Sequence, residues 1–436
     1  MQEQSRVTSV EERRQERFIN KSASVATKYL RRMEEMSGMP DAMRPFLDVL
    51  RDIYINFSDV KRPEGTKTIG TYCMMVPQEL IYAFGAVGVK LCSGSFTAFS
   101  IGDDITPRDA CPLVKAIAGI GDINKLPLYK DCSLMVVPIT CDCKKKLVSM
   151  LAEYTKVHIM PVPSSRMDDD VKEHFVKELY ALLPAFEEAT GNKITYDSLT
   201  SGVSAVGQAQ YQFWRFMKFK REDSPLIRGT HAMAVMNALS YMPIDDWTNA
   251  LVALNNEIDK KKDKGFKITQ RTQPRIMLTG SPVVFPNIKV PMLIDEMGGA
   301  MVADETCMGD RFMYDPLVVT DPSFDGIMRA LANRYIRPCT CPTFWDASTR
   351  IFRLKQMIKD NKVEGVIYHV LRGCVVYDFE YNIIERELDE LGIPIIRVES
   401  DYNEEDIEQI RVRIEAFVEL LKLSRPAKPK TKSEVQ

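Results

Sequence analysis

The sequence has no excess charge of either sign. Fifty-eight lysines and arginines against sixty aspartates and glutamates leave a formal charge of −2. A dedicated nucleic-acid binder needs a basic excess to displace counterions from phosphates, so that class is excluded. No apolar run approaches the roughly 20 residues that span a bilayer, and the opening MQEQSRVTSVEERRQER has no signal-peptide core. Ten cysteines in 436 residues are too sparse for a disulfide-stapled secreted domain. The glycines of GAVGVKLCSG and GIGDIN give neither GxGxxG after a strand nor a loop ending in GK[ST], so no P-loop for ATP is expected. GxSxG and HExxH are also missing. What remains is a cytoplasmic protein, with no membrane or nucleic-acid partner, whose cysteines are reduced thiols or metal ligands.

What is present is ordinary globular material, 45% hydrophobic and 27% charged, long enough for two or three domains. Residues 1–65 are charged and read as a helical arm, packed on the main body through one face. Residues 66–165 alternate short apolar strands with helices: GTYCMMV, VGVKLC, SLMVVPIT and KVHIMPVP are the strands, and a helix opens at Pro77. Residues 166–272 are helical. Strand signals return over 273–424 at PRIMLTGSP, VPMLIDEMGGAMVADE, VEGVIYHVL and IPIIRVES, and the last helix starts behind Asn403 as a cap. Residues 425–436 form a polar, basic tail expected to be disordered. The fold class is therefore α/β: two Rossmann- or flavodoxin-like parallel-sheet lobes joined by a helical segment, with an N-terminal helical arm.

The cysteines fall in a pattern. Cys73, Cys141, Cys307 and Cys374 each follow a strand, and in a parallel sheet the carboxyl ends of all strands face one edge where ligands bind. Cys111 and the Cys339/Cys341 pair sit in proline-marked loops that can close over the same crevice. Thiolate-only ligation suits iron–sulfur clusters or zinc. Zinc sites draw on local pairs such as CxxC, whereas this sequence has only two CxC pairs, so ligands scattered over two lobes fit a cluster better. The helix after Cys141 adds a positive dipole end, and Lys144, Lys145 and Lys146 are either further charge or a solvated face. A buried thiol is also a small hydrophobe, which is how Cys92 and Cys132 are read. His158, His174 and His231 read as structural. His369, five residues before Cys374, and Glu399, at the start of ESDYNEED beside Asp401, are the two weaker catalytic candidates.

GTYCMMVPQELIYAFGA, TCDCKKK, PRIMLTGSP, VEGVIYHVLRGC and GIPIIRVESDY together resemble the catalytic subunits of 2-hydroxyacyl-CoA dehydratases and benzoyl-CoA reductases, over about residues 66–422. GTYC, CPLVK, ETC and CTC are similar to the branch that carries a double-cubane cluster. The resemblance implies a [4Fe-4S] or [8Fe-9S] cofactor. Its ligands would be Cys73, Cys111, Cys141, Cys307 and Cys374, with Cys341 preferred over Cys339 because it precedes Pro342. It implies a separate ATP-hydrolysing iron–sulfur activator, a CoA-thioester substrate, and a second related subunit or a homodimer. Cys143 stands where the family usually has glycine. On this reading the first expectation is an ATP-coupled reductase of an aromatic thioester of the benzoyl-CoA type. The alternatives are a homodimeric reductase of a small unsaturated molecule, a 2-hydroxyacyl-CoA dehydratase subunit, and a non-catalytic metal-stabilised scaffold.

Overall fold

The computed structural model of the chain describes residues 2–123, 126–166, 168–268 and 272–425. The tail expected over 425–436 lies, beyond Arg425, outside the described residues. Two four-stranded sheets form the frame. The first is built from β1 (Thr68–Thr71), β2 (Val87–Lys90), β3 (Leu134–Ile139) and β4 (Val157–Pro161) in the order β2-β1-β3-β4. The second contains β5 (Arg275–Gly280), β6 (Ala300–Glu305), β7 (Gly365–Leu371) and β8 (Ile395–Ser400) in the order β6-β5-β7-β8. Every pairing is parallel, and the second sheet repeats the topology of the first. Covered on both faces, the central strands read as continuous apolar runs such as VVPI and GVIYHVL rather than as alternating ones.

Strand order reverses between β2-β1 and β3 in one sheet and between β6-β5 and β7 in the other. A reversal of this kind leaves a crevice at the carboxyl ends. Gly280 ends β5 with φ +113°, and a Cβ there would lie 2.0 Å from the carbonyl oxygen of His369, so only glycine lets β5 and β7 approach this closely.

Four helices lie between the sheets: Asp169–Thr190, Tyr196–Arg221, Gly229–Ala238 and Ile244–Asp263. The first ends on Gly191 at φ +78°, and Thr195 opens the second through a capping box with Ser198. The N-terminal helical arm packs on the main body, as expected. The helices Gln2–Glu35 and Arg44–Tyr54 place Phe18, Ala26, Tyr29, Leu30, Met33, Phe46 and Leu50 in a core shared with both sheets. Each large apolar side chain buried there contributes about 1.5–3 kcal/mol. Among the described residues no helix is long and apolar enough to cross a membrane.

Two sequence expectations are corrected. VPMLIDEMGGAMVADE is not one strand: Lys289–Glu296 is a helix buried from Lys289 to Asp295, Gly298 turns the chain at φ +84°, and only Ala300–Glu305 is extended. A short, wholly apolar run does not distinguish a buried helix from a buried strand. The last helix, Ile407–Leu423, has Asp406 and not Asn403 at its N-cap position, and the Asp406 carboxylate makes no cap bond but accepts from Lys289 and the Asp401 amide. The Asn403 side chain instead accepts from the Glu405 amide at 3.2 Å, a local turn that precedes the helix.

Candidate cofactor chamber

The carboxyl edges of the two sheets face one chamber of about 100 Å³. Cys73, Cys92, Cys111, Cys141, Cys307, Cys341 and Cys374 all line it. Five of these occupy equivalent places. Cys73, Cys92, Cys141 and Cys307 come two residues after β1, β2, β3 and β6, and Cys374 comes three after β7. Three stand at helix N-termini: Cys141 and Cys374 cap Asp142–Leu151 and Val375–Asp389, and Cys111 precedes Pro112–Ile123. Each of these helices therefore directs its positive end at the chamber.

The thiols act on one another. Cys374 and Cys111 share a hydrogen bond across the boundary between the lobes, which lowers Cys111 to about 7 in spite of burial, with the amides of Val114 and Leu113 adding to the effect. The same bond, with burial, raises Cys374. Burial raises Cys341 and pushes Cys92 up to about 11. Three cations balance the set. The Lys144 ammonium donates to the Tyr72 carbonyl at 2.8 Å; burial would lower it, but Cys73, Cys92, Cys141 and Cys341 together raise it. Lys90 also lines the chamber, and burial lowers it to about 7 against the opposing pull of Cys92, Cys307 and Cys73. Arg311 donates to the Cys307 sulfur at 3.2 Å and to the Tyr377 hydroxyl at 3.1 Å.

Arg311 is itself held from below. Its Nε and Nη2 donate to Glu305 at 2.7 and 2.8 Å, and Arg350 reaches the same carboxylate at 3.2 Å and Glu380 at 2.9 Å. Burial would raise Glu305, but Arg311 and Arg350 hold it at about 2. The wall behind Cys307 is thus a charge-balanced, hydrogen-bonded network in the interior.

The sequence candidates separate. Cys73, Cys111, Cys141, Cys307, Cys341 and Cys374 are brought together; Cys339 is not. It is buried beside Arg311, Phe312 and Tyr335 in a separate small cavity, with its thiol up at about 12 and its carbonyl accepting from Arg166 at 3.0 Å. Cys143 is half-buried and is not part of the chamber lining, although it lies near Cys111 and Cys141, and Cys132 is core, donating to the Leu128 carbonyl at 3.0 Å. Of the lysine run only Lys144 reaches the chamber; Lys145 and Lys146 are exposed.

His369 does not line the chamber either. Its Nε2 lies 2.6 Å from Ser400 Oγ and its Nδ1 3.3 Å from the Ser281 carbonyl, and burial pulls it to about 4. It is a neutral strut between β7 and β8. Glu399 pairs at the surface with Arg372 and Arg397, and Asp401 is occupied by Arg372 and by the Tyr402 amide. Cys92, Lys90 and Arg311 were missed. VGVKLC carries the same strand-end signal as the other four thiols, so Cys92 was within reach of the rule; nothing in the sequence distinguishes Lys90 or Arg311.

The donors suit a polynuclear cluster. All are soft thiols, the surroundings are cationic, and Met74, Leu113, Leu371 and Val376 exclude water. Among the described residues no three histidine, cysteine or carboxylate donors converge on one ion-sized point.

The chain is similar in sequence to known proteins over most of its length. The family model described as 2-hydroxyglutaryl-CoA dehydratase, D-component, matches residues 73–421, beginning at the first of the chamber thiols. The putative dehydratase subunit YjiM of Escherichia coli (strain K12) is 30% identical over 392 residues, covering 89% of this chain and all of that protein. The (R)-phenyllactyl-CoA dehydratase beta subunit of Clostridium sporogenes is 25% identical, over 88% of this chain and all of its own. The (R)-2-hydroxyglutaryl-CoA dehydratase subunit beta of Acidaminococcus fermentans is 24% identical, over 83% of this chain and 94% of its own.

Proposed function

Because the chain belongs to the 2-hydroxyglutaryl-CoA dehydratase D-component family, we propose that it is the iron–sulfur subunit of an enzyme that removes water from a 2-hydroxyacyl-CoA thioester. The observation that carries this reading is the convergence of seven thiols from two lobes on one chamber. The names of the relatives favour a dehydratase, so the order of activities expected from the sequence is reversed: the lyase comes first and the aromatic-thioester reductase second.

Cys73, Cys111, Cys141, Cys307, Cys341 and Cys374 would hold the cluster. Seven lining thiols exceed what one four-iron cubane takes, which favours two cubanes sharing a sulfide. Such a group supplies single electrons at low potential. The chain's own part is electrostatic and steric. Lys144, Arg311 and the three helix N-termini offset negative charge on sulfur, and the apolar wall excludes water. With no P-loop in the sequence, the electron source would be a separate ATP-hydrolysing iron–sulfur activator. A second subunit is supported by the relatives' designation as subunits. Ten unpaired cysteines support a reducing compartment, the cytoplasm.

The test is anaerobic purification with iron, sulfide and zinc analysis, followed by assay with activator, ATP and a panel of CoA thioesters. About eight irons per chain and water loss from a 2-hydroxyacyl thioester are expected. About four irons would leave the dehydratase reading and remove the second cubane. Reduction of an aromatic thioester would restore the reductase. Zinc without iron would overturn both.

A further inference from the structure

Cys111 and Cys374 meet in two independent ways. Their thiols share a hydrogen bond. Their backbones also touch: a Cβ on Gly373 would lie 2.7 Å from the carbonyl oxygen of Asp109 and 3.7 Å from the carbonyl carbon of Ala110, so the residue before one cysteine packs against the residue before the other. A disulfide requires Cα atoms within about 7 Å and side chains that face each other. Facing thiols on touching backbones are placed for one.

All ten cysteines are free thiols, and more than half of the chain lies between these two. Cys143 is a competing neighbour of Cys111, but its sulfur accepts from the Cys111 amide instead of meeting the thiol. Cys374 is half-buried and Cys111 is buried, so a small oxidant arriving from solvent reaches Cys374 first. A sulfur bonded to a metal is not free to couple, which ties the reactivity of the pair to an empty chamber.

We propose that Cys111 and Cys374 form a reversible disulfide between the lobes when the chamber holds no cofactor, with hydrogen peroxide as the oxidant. Peroxide converts the Cys374 thiol to the sulfenic acid: the O–O bond breaks, an S–O bond forms and one water leaves. The Cys111 sulfur then attacks the Cys374 sulfur, an S–S bond replaces the S–O bond, and the hydroxyl departs with the Cys111 proton as a second water. The two sulfurs give up two electrons in all, and one peroxide becomes two waters. The bond occupies two of the proposed cofactor ligands and halts oxidation before the irreversible sulfinic acid. It keeps the empty chain closed to its cofactor until a thiol reductant opens it. That consequence rests on the cluster reading of the chamber, whereas the bond itself does not.

The experiment is peroxide treatment of the cofactor-free full chain, read by intact mass and by mass-spectrometric mapping of non-reduced peptides, for wild type, Cys111→Ser, Cys374→Ser and the core control Cys132→Ser. Wild type and the control should each lose about 2 Da for the bond and yield a peptide joining Cys111 to Cys374. They should also run faster on a non-reducing denaturing gel, because so long a closed loop compacts the unfolded chain. Both serine variants at the pair should lose the joined peptide and the faster band. The oxidised wild type should lose its capacity to take up iron and sulfide, and dithiothreitol should restore it. Cofactor-loaded wild type should give no joined peptide at the same peroxide dose. A peptide joining Cys111 to Cys143 instead, sulfinic acid at Cys374 with no joined peptide, or equal bridging in the loaded protein overturns the proposal. A bridge that forms in a chain which, once reduced, takes up no iron leaves the disulfide standing and removes the cluster reading.

Discussion

The thiols of Cys374 and Cys111 share a hydrogen bond, joining the helix N-terminus of one lobe to that of the other. The contact lies on the boundary between two sheets that share no strand, and it makes the chamber a product of lobe closure. Cys141→Ser and Cys374→Ser should each lower iron content by half or more, because both side chains project from helix caps fixed at the chamber. Cys132→Ser should retain full iron, because its thiol packs in the first lobe's core. Full iron in both of the first pair would refute the chamber as the cofactor site.

Gly373 adds a conformational requirement to the same boundary. Its φ is +75°, and a Cβ there would lie 2.7 Å from the carbonyl oxygen of Asp109. Gly373→Ala should destabilise the protein by roughly 1–2 kcal/mol, read in urea unfolding, and should loosen the cofactor as the segment carrying Cys111 is pushed away.

The buried pair Arg311–Glu305 has a different vulnerability. Arg311→Met leaves Glu305 with Arg350 as its remaining cation beside the Thr279 and Thr340 hydroxyls, and removes the donor to Cys307. A loss of about 3 kcal/mol in stability is expected, together with a lower reduction potential in whatever protein retains iron, because a positive group has left the sulfur. Arg311→Lys should recover part of the stability but not the fork geometry. An Arg311→Met protein of unchanged stability would contradict the network.

His231 supplies a pH prediction away from the chamber. Its Nε2 lies 2.9 Å from the Met33 carbonyl of the N-terminal helix, its Nδ1 has no partner, and burial lowers it to about 4. The unfolded chain protonates this residue near pH 6.5, so below that value the unfolded state binds more protons. Stability from this group is complete above about pH 6.5 and declines towards pH 4, by up to roughly 3 kcal/mol. Urea titrations at pH 7 and pH 5 should show a smaller pH difference for His231→Leu than for wild type. Equal differences in the two proteins would rule the effect out.

How much of this was legible depended on the kind of signal. Strands with both faces buried announce themselves as apolar runs, and a thiol two residues past such a run is placed by topology alone. Cys73, Cys141 and Cys307 were therefore readable, and Cys92, two residues past VGVK, carries the same signal. Choosing between Cys339 and Cys341 required the path of an irregular loop, which no periodicity encodes. Lys90 and the Arg311–Glu305 pair were hidden for another reason: a charged residue in a strand or after one reads as solvated, and only the finished packing shows it enclosed. Lys289–Glu296 was lost to the ambiguity of a short apolar run, and Asp406 to the crowd of capping residues around it.

The N-terminal helix carries one further consequence. It ion-pairs with Asp122 through Arg14 and with Glu404 through Lys28, so a single rod touches both lobes. Lys28 and Glu404 are 376 residues apart. During synthesis at about 5–20 residues per second, this segment waits tens of seconds for its last partner, its apolar stripe of Phe18, Tyr29, Leu30 and Met33 without the second lobe to dock against. This helix is thus among the last elements to be secured, and the ribosome-bound intermediate presents a sticky amphipathic helix that nascent-chain chaperones are suited to cover.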